Sequence, residues 1–209
     1  LRPASLRLIV GAIVMSEVTR IEDTHGDAAR HLPTVELEAG LRTLPPPPKD
    51  AGRLTHIVRR PAKDAREVLS RARLSPEAGL PGDTWSHKPA PDPTAQLTVM
   101  QTGVAELIAN GQSLALFGDN LFVDLDLSAA NLPIGSRLRV GGAVVEVTPM
   151  PHDGCHKFNA RFGSDALRFV NTKPTRHLNL RGIYWRVIEA GDIEVGAPVQ
   201  VLSRPASAM

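Results

Sequence analysis

From residue 114 onward the chain is written in short apolar runs separated by turn residues, and this pattern restricts the fold more than any other feature. Residues 137–140 (RLRV) and 143–147 (AVVEV) alternate, and Gly141-Gly142 between them is a two-residue hairpin signal. Leu138, Val140, Val145 and Val147 fall on the inward face of that hairpin. Further runs at 183–188 and 199–202, with Ala190-Gly191-Asp192 as a turn between them, close the chain as strands. The 17 glycines and 18 prolines among 209 residues are spread along the length, which favours many short elements over a few long helices. The expectation is a mainly β fold with a few helices, closed or nearly closed into a barrel.

Upstream, residues 54–60 (LTHIVRR) suit a strand that Pro61 ends. Pro61 then opens a predicted helix over 62–74, with Ala65, Val68, Leu69 and Ala72 at three- and four-residue spacing. Ser75-Pro76 reads as a further helix start that Gly79 stops. A strand is expected over 96–100, then a short helix carrying Val104, Leu107 and Ile108 that Asn110-Gly111 terminates. Ser164 is a candidate cap for a helix of one to two turns carrying Leu167, Phe169 and Val170. Four prolines at 45–48 form an extended connector. The expected layout is an upstream extension over 1–14, an N-terminal extension with the proline strap over 15–53, a folded domain over 54–204 and a tail over 205–209. Residues 8–15 (LIVGAIVM) resemble an export signal only superficially, because no small-residue cleavage site follows.

The formal net charge of +2, with acids and bases interleaved and aromatics at 4%, gives no support for nucleic-acid binding. No apolar run reaches the length of a membrane span, so a membrane role is not expected. A single cysteine rules out an internal disulfide framework and is compatible with a reducing compartment, so the expected location is the cytoplasm.

The chemistry concentrates at 151–163, PHDGCHKFNARFG. By default a lone cysteine is a small buried hydrophobe. Here His152, His156 and Lys157 lie within three residues of Cys155, and Arg161 follows, in a glycine-containing turn after a predicted strand. Cationic neighbours favour thiolate over thiol and point to a reactive sulfur; the competing reading is a solvated polar loop. His152, Cys155 and His156 are zinc-ligand types, yet zinc needs three or four converging ligands, and adjacent positions 155 and 156 usually point apart. Asp119-Asn120, after Gly118, offers donors and acceptors in a small space, as a plain turn or as part of a site. No phosphate-cradling loop, dinucleotide fingerprint or serine nucleophile elbow occurs, and no protease signature surrounds Cys155.

Taken in order, GLPGD (79–83), LFGDNLFVDLDL (116–127), LPIGSRLRVGGAVVEVT (132–148), PHDGCHKFNARFG (151–163) and RGIYWRVIEAGDIEVGAPVQV (181–201) resemble the successive motifs of MOSC domains. The resemblance covers roughly 54–202 and implies a MOSC β-barrel similar to the pyruvate-kinase barrel domain. It implies Cys155 as a molybdenum ligand or persulfide carrier, with Asp119 and His152 as catalytic neighbours. Asn120, Arg161, His156 and Lys157 are the implied cofactor-binding positions. The implied cofactor is the molybdenum cofactor, a molybdenum–pterin, and the implied activity is reduction of N-hydroxylated small molecules. Electrons or sulfur would come from a separate donor protein, since the chain carries no flavin, haem or iron–sulfur motif and no pyridoxal-phosphate domain. The alternative is a sulfur-carrier or interaction module without bound cofactor.

Overall fold

A computed structural model of the chain describes residues 18–21 and 25–205; the expectations for 1–14 lie outside these. Seven strands form a closed ring: β2 (Ala51–Arg59), β5 (Leu97–Gln101), β6 (Leu121–Asp124), β7 (Arg137–Val140), β8 (Ala143–Val147), β9 (Ile183–Glu189) and β11 (Pro198–Ser203). Around the ring the order is β2-β11-β7-β8-β9-β5-β6, and β6 pairs back onto β2. Every pairing is antiparallel except β5 with β6. That parallel step is bridged by helix α2 (Thr102–Ala109) and a 3₁₀ turn at Leu114–Phe117, because a parallel connection must cross over outside the sheet. Two strands, β3 (Arg66–Leu69) and β1 (Val18–Ile21), extend the sheet outward from β2, and β4 (Arg71–Leu74) pairs with β10 (Gly191–Glu194) as a separate ribbon.

Strand periodicity sorts the side chains into two cores. Leu54, Val99, Leu121, Val123, Leu138, Val145, Trp185 and Val199 fill the barrel. The intervening Val58, Met100 and Phe122 point outward, where they meet helices α1 (Thr34–Thr43), α2 and α3 (His156–Asn171) through Leu37, Ile108, Phe158 and Phe162, and the 3₁₀ turn through Phe117. β5 and β6 are therefore buried on both faces, which is why 121–123 reads as a continuous apolar run and 97–100 is interrupted only by the buried Thr98.

The hairpin at Gly141-Gly142 forms as expected, and Leu138, Val140, Val145 and Val147 all face the barrel core. The helix expected over 62–74 does not form: that stretch is β3 and β4. The spacing that suggested one helical face also sets neighbouring Val68 and Leu69 on opposite faces of a strand. Leu69 then enters the barrel, Val68 packs against the helical layer, and pairing with β2 decides the outcome. Ser75-Pro76 starts no helix either. Ser75 and Gly79 exchange backbone hydrogen bonds of 3.1 and 2.8 Å around a tight turn, with Gly79 at φ +61°. Gly191 and Asp192, expected in a turn, begin β10 instead. A Cβ at Gly191 would lie 2.1 Å from the Gly142 backbone, so glycine is needed there for close approach.

The reactive-cysteine segment also departs from expectation. The glycine-containing turn ends at Cys155, and α3 starts at His156 and runs to Asn171 with a break at Gly163, φ +88°. Ser164 does follow that break, but the preceding turns were missed. They are amphipathic, with Phe158 and Phe162 one turn apart and packed on Phe117.

Candidate functional site: a cationic cleft at Cys155

Cys155 is exposed and stands at the N-cap of α3, where its side chain makes no capping hydrogen bond. The turn before it is clamped to the far end of the same helix: Gly154 N–H donates to Asn171 Oδ1 (2.9 Å) and Asn171 Nδ2 donates to the Gly154 carbonyl (3.2 Å). A Cβ at Gly154 would lie 2.7 Å from Leu167, so the turn presses directly on the helix.

The thiol lines a cleft of about 260 Å³ between α3, the loop 61–65 and the ends of β2, β5 and β9. Six cationic side chains line it, Arg60, Lys63, Arg66, Lys157, Arg161 and Arg181, with Asp64 as the one carboxylate among the described lining residues. Lys157 and Arg161, one turn apart on α3, both lie 3.7 Å from Asp64 Oδ1. Arg161 Nη1 also donates to the Leu116 carbonyl (2.9 Å). Arg66 is 6% exposed. Its Nη1 donates to the Ala65 carbonyl (2.7 Å), while its Nε has no partner among the described residues. Burial, then repulsion from Arg161 and Arg60, brings Arg66 down to about 10. A Cβ on Gly118 would lie 3.1 Å from Arg66 Nη2, so the glycine leaves room for the guanidinium.

The floor is a buried polar set. Arg181 Nη1 donates to Asp119 Oδ2 at 2.6 Å, the two side chains being 8% and 0% exposed. The Arg181 guanidinium also lies 5.2 Å from the Phe158 ring centroid. Asp119 Oδ1 has no hydrogen-bond partner among the described residues, and His152 Nε2 lies 3.5 Å from it. Burial pushes the Asp119 carboxyl up against the opposing pull of Arg181, Arg60 and Arg66. The His152 ring packs on Tyr184 with centroids 4.8 Å apart. Burial, reinforced by Arg181 and Arg60, holds His152 well below its ordinary 6.5, so its imidazole is neutral at neutral pH. Tyr184 itself is pushed up by burial and then by Asp119.

His152 therefore makes a pH prediction with a definite sign. Below 6.5 the unfolded chain binds a proton that the folded chain refuses, so stability is full above 6.5 and falls as the pH drops beneath it. The loss is at most about 1.4 kcal/mol per pH unit. Urea midpoints taken from about pH 7.5 down to about pH 5 should fall more steeply in the wild type than in His152→Gln. Half-buried His56, also lowered by burial, acts in the same sense and is common to both proteins. Parallel curves for the two would overturn the assignment.

Of the expected site residues, Cys155, His152, Lys157 and Arg161 line the cleft, and Asp119 sits beneath it on Arg181. His156 is exposed on α3 and does not line the cleft. Asn120 does not line it either, although the resemblance implies it as a cofactor-binding position. It is fully buried, accepting from Thr98 N–H (3.1 Å), Thr98 Oγ1 (3.1 Å) and Arg60 Nη2 (3.1 Å), and donating to the Val58 carbonyl (3.3 Å) and Asp83 Oδ2 (3.0 Å). Asp83 in turn grips Arg60 through both oxygens, at 2.9 and 2.7 Å. Burial works to lower Arg60, but Asp83 outweighs it and Arg60 is raised. Sequence reasoning missed Arg60, Asp64, Arg66, Arg181 and Tyr184. Two of these carry a local signal: the Arg59-Arg60 pair closes a strand, and Arg181-Gly182 opens one. A Cβ at Gly182 would lie 2.1 Å from the Val99 carbonyl, so only glycine allows Arg181 to enter here.

The barrel, the cysteine at its rim and the sequence agree on one class: the MOSC domain profile matches residues 94–200, just over half the chain, and the protein belongs to the MOSC domain family. Among individual proteins it is 33% identical over 99 residues to YflK of Bacillus subtilis strain 168, an uncharacterized protein. That alignment spans 47% of this chain and 42% of YflK. Among solved structures, the YuaD protein from Bacillus subtilis superposes with a TM-score of 0.56 at 16% identity, covering 72% of this chain and 95% of that one. YiiM from Escherichia coli superposes with a TM-score of 0.51 at 22% identity, covering 75% of this chain and 73% of that one. At these identities the superpositions speak to the fold alone. Among the described residues no helix is long and apolar enough to cross a membrane.

Proposed function

We propose that the Cys155 cleft binds the molybdenum cofactor with the cysteine sulfur as metal ligand, and that the protein is a cytoplasmic oxidoreductase reducing N-hydroxylated small molecules. One observation carries this reading: an exposed thiol stands in a cleft walled by cations, with no group of three His, Cys, Asp or Glu among the described residues able to hold a metal ion. A metal seated there must bring most of its own ligands and an anionic carrier, as a molybdenum–pterin does. The donor set fits such a group: a soft sulfur for the metal, and Arg66 with an unpartnered Nε for negative charge.

When bound, the cofactor supplies two-electron redox chemistry. The chain's own residues do the rest. Lys157, Arg161 and Arg66 hold and orient anionic groups, while Phe117 and Phe158 keep one wall apolar. Neutral His152, with Nε2 toward Asp119 Oδ1, is available to hold or pass a proton beside the cleft. Reduction of an N–OH group consumes two electrons and two protons and releases the amine-type product and water; the electrons come from a separate donor protein.

Protein produced in a molybdenum-replete host is expected to carry molybdenum and an extractable pterin. Cys155→Ser should lose the metal and fall to background in reduction of a hydroxylamine or amidoxime. Wild-type protein that stays free of molybdenum and gains nothing on reconstitution would sink the proposal. The exposure of Cys155 favours one second reading, a sulfur carrier open to a partner. Mass spectrometry would then find one added sulfur atom after incubation with a donor, absent in Cys155→Ser, in protein that never binds molybdenum.

A further inference from the structure

The loop 61–65 joins β2 to β3 across the mouth of the cleft, and Ala62, Lys63 and Asp64 all line it. Asp64 adopts φ +59°, the left-handed region that side chains other than Gly, Asn and Asp rarely enter. In that conformation its carboxylate lies 3.7 Å from Lys157 and 3.7 Å from Arg161, the two α3 cations nearest Cys155 in sequence. Behind it, Arg66 makes no ion pair with any described residue, and its Nε lacks a partner. A tethered carboxylate thus fills the mouth of a cleft whose other charged walls, among the described residues, are all cationic.

We infer that, in the free protein, the Asp64 carboxylate occupies the place that an anionic group of the cleft's ligand takes when bound, making the loop 61–65 a displaceable lid. The inference rests on the reading of the Cys155 cleft as a site for an anionic ligand, and it adds the element that controls entry. A doubly charged oxyanion with several acceptor oxygens competes well against one carboxylate for guanidinium and ammonium donors. Asp64 is about half exposed, so its contacts with Lys157 and Arg161 are weak enough to exchange. Lys63, on the same loop and exposed, forms no ion pair with any described residue and moves with the lid.

Cys155 is the sole cysteine of the chain, so its alkylation reports on the cleft alone. In the full-length protein, inorganic phosphate is expected to slow iodoacetamide alkylation of Cys155 in a saturable manner. Asp64→Asn and Asp64→Gly both tolerate the left-handed backbone and remove the competing charge. Each should lower the half-saturating phosphate concentration by about threefold to tenfold. Arg66→Gln should raise it; if that variant fails to fold, Lys157→Gln tests the same wall from the surface. A bulky phosphate monoester protecting more tightly than phosphate assigns the oxyanion to a larger ligand, and equal protection assigns it to free phosphate. Identical half-saturation in wild type, Asp64→Asn and Asp64→Gly, or no protection in any of them, overturns the inference. Molybdenum retention without phosphate protection would remove the lid and leave the cofactor reading standing. Protection governed by Asp64 in protein that never takes up molybdenum would do the reverse.

Discussion

Arg181→Met is expected to lower the unfolding free energy by about 3–5 kcal/mol, because it leaves a buried carboxylate without its counter-charge. Asp119 is fully buried, its Oδ2 is held by Arg181 at 2.6 Å, and its Oδ1 has no hydrogen-bond partner among the described residues. Burial already pushes this carboxyl up with Arg181 present, so the loss of the guanidinium removes the main opposing influence. Removing both partners is a different experiment. Arg181→Met with Asp119→Leu deletes the pair together and should recover most of the loss, since desolvation then no longer has to be offset. Urea denaturation of the two variants beside the wild type measures this directly. A single variant within about 1 kcal/mol of wild type would show that the pair contributes nothing to the fold. The same replacement removes one of the two cations that depress His152, so its imidazole should titrate closer to the ordinary value in whatever folded protein remains.

Asn120→Leu is expected to cost on the order of 3–6 kcal/mol, through stranded partners more than through lost bonds. One side chain here serves Thr98, Arg60, Val58 and Asp83 with no solvent access. An isosteric apolar group fills the volume but leaves a buried amide N–H, a carbonyl and one Asp83 oxygen with fewer partners. Thermal or urea unfolding should show the loss, whereas a ligand-contact residue would weaken binding and leave stability intact. A stable Asn120→Leu protein with impaired binding would return Asn120 to the cleft.

The contrast between these residues explains what the sequence made legible. Barrel strands were readable where one face is wet, as in the 137–147 hairpin, because period-two alternation and Gly141-Gly142 agree. They were unreadable at 62–74, where short strands buried on different sides imitate helical spacing until β2 supplies the pairing partner. The first turns of α3 were hidden for the opposite reason. His156, Lys157, Asn159 and Arg161 look like a solvated loop until Phe158 and Phe162 find Phe117 across the chain. The site divided the same way. Cys155 and its α3 neighbours sit together in sequence, so local chemistry exposed them. Arg60, Arg66, Arg181 and Tyr184 reach the cleft only because β2, β3 and β9 end there, a fact of topology that no local pattern encodes. The resemblance carries Asp119 and Asn120 to the site together as one motif, but adjacent residues of the turn serve different layers, Asp119 the floor of the cleft and Asn120 the buried network behind it.

The cleft is assembled across a seam. Cys155, Lys157 and Arg181 lie inside the stretch matched by the family profile, 94–200, whereas Arg60, Lys63, Asp64 and Arg66 precede it. The upstream wall hangs on the connection between β2 and β3, whose tip bears no part of the barrel's hydrogen-bonded ring. Substitutions there can redraw the charge, width and timing of access while the sulfur and the barrel stay as they are. Two proteins with the same barrel and the same cysteine could therefore admit different molecules, and a fragment trimmed to the family boundary would lose that doorway together with β2, one strand of the closed ring.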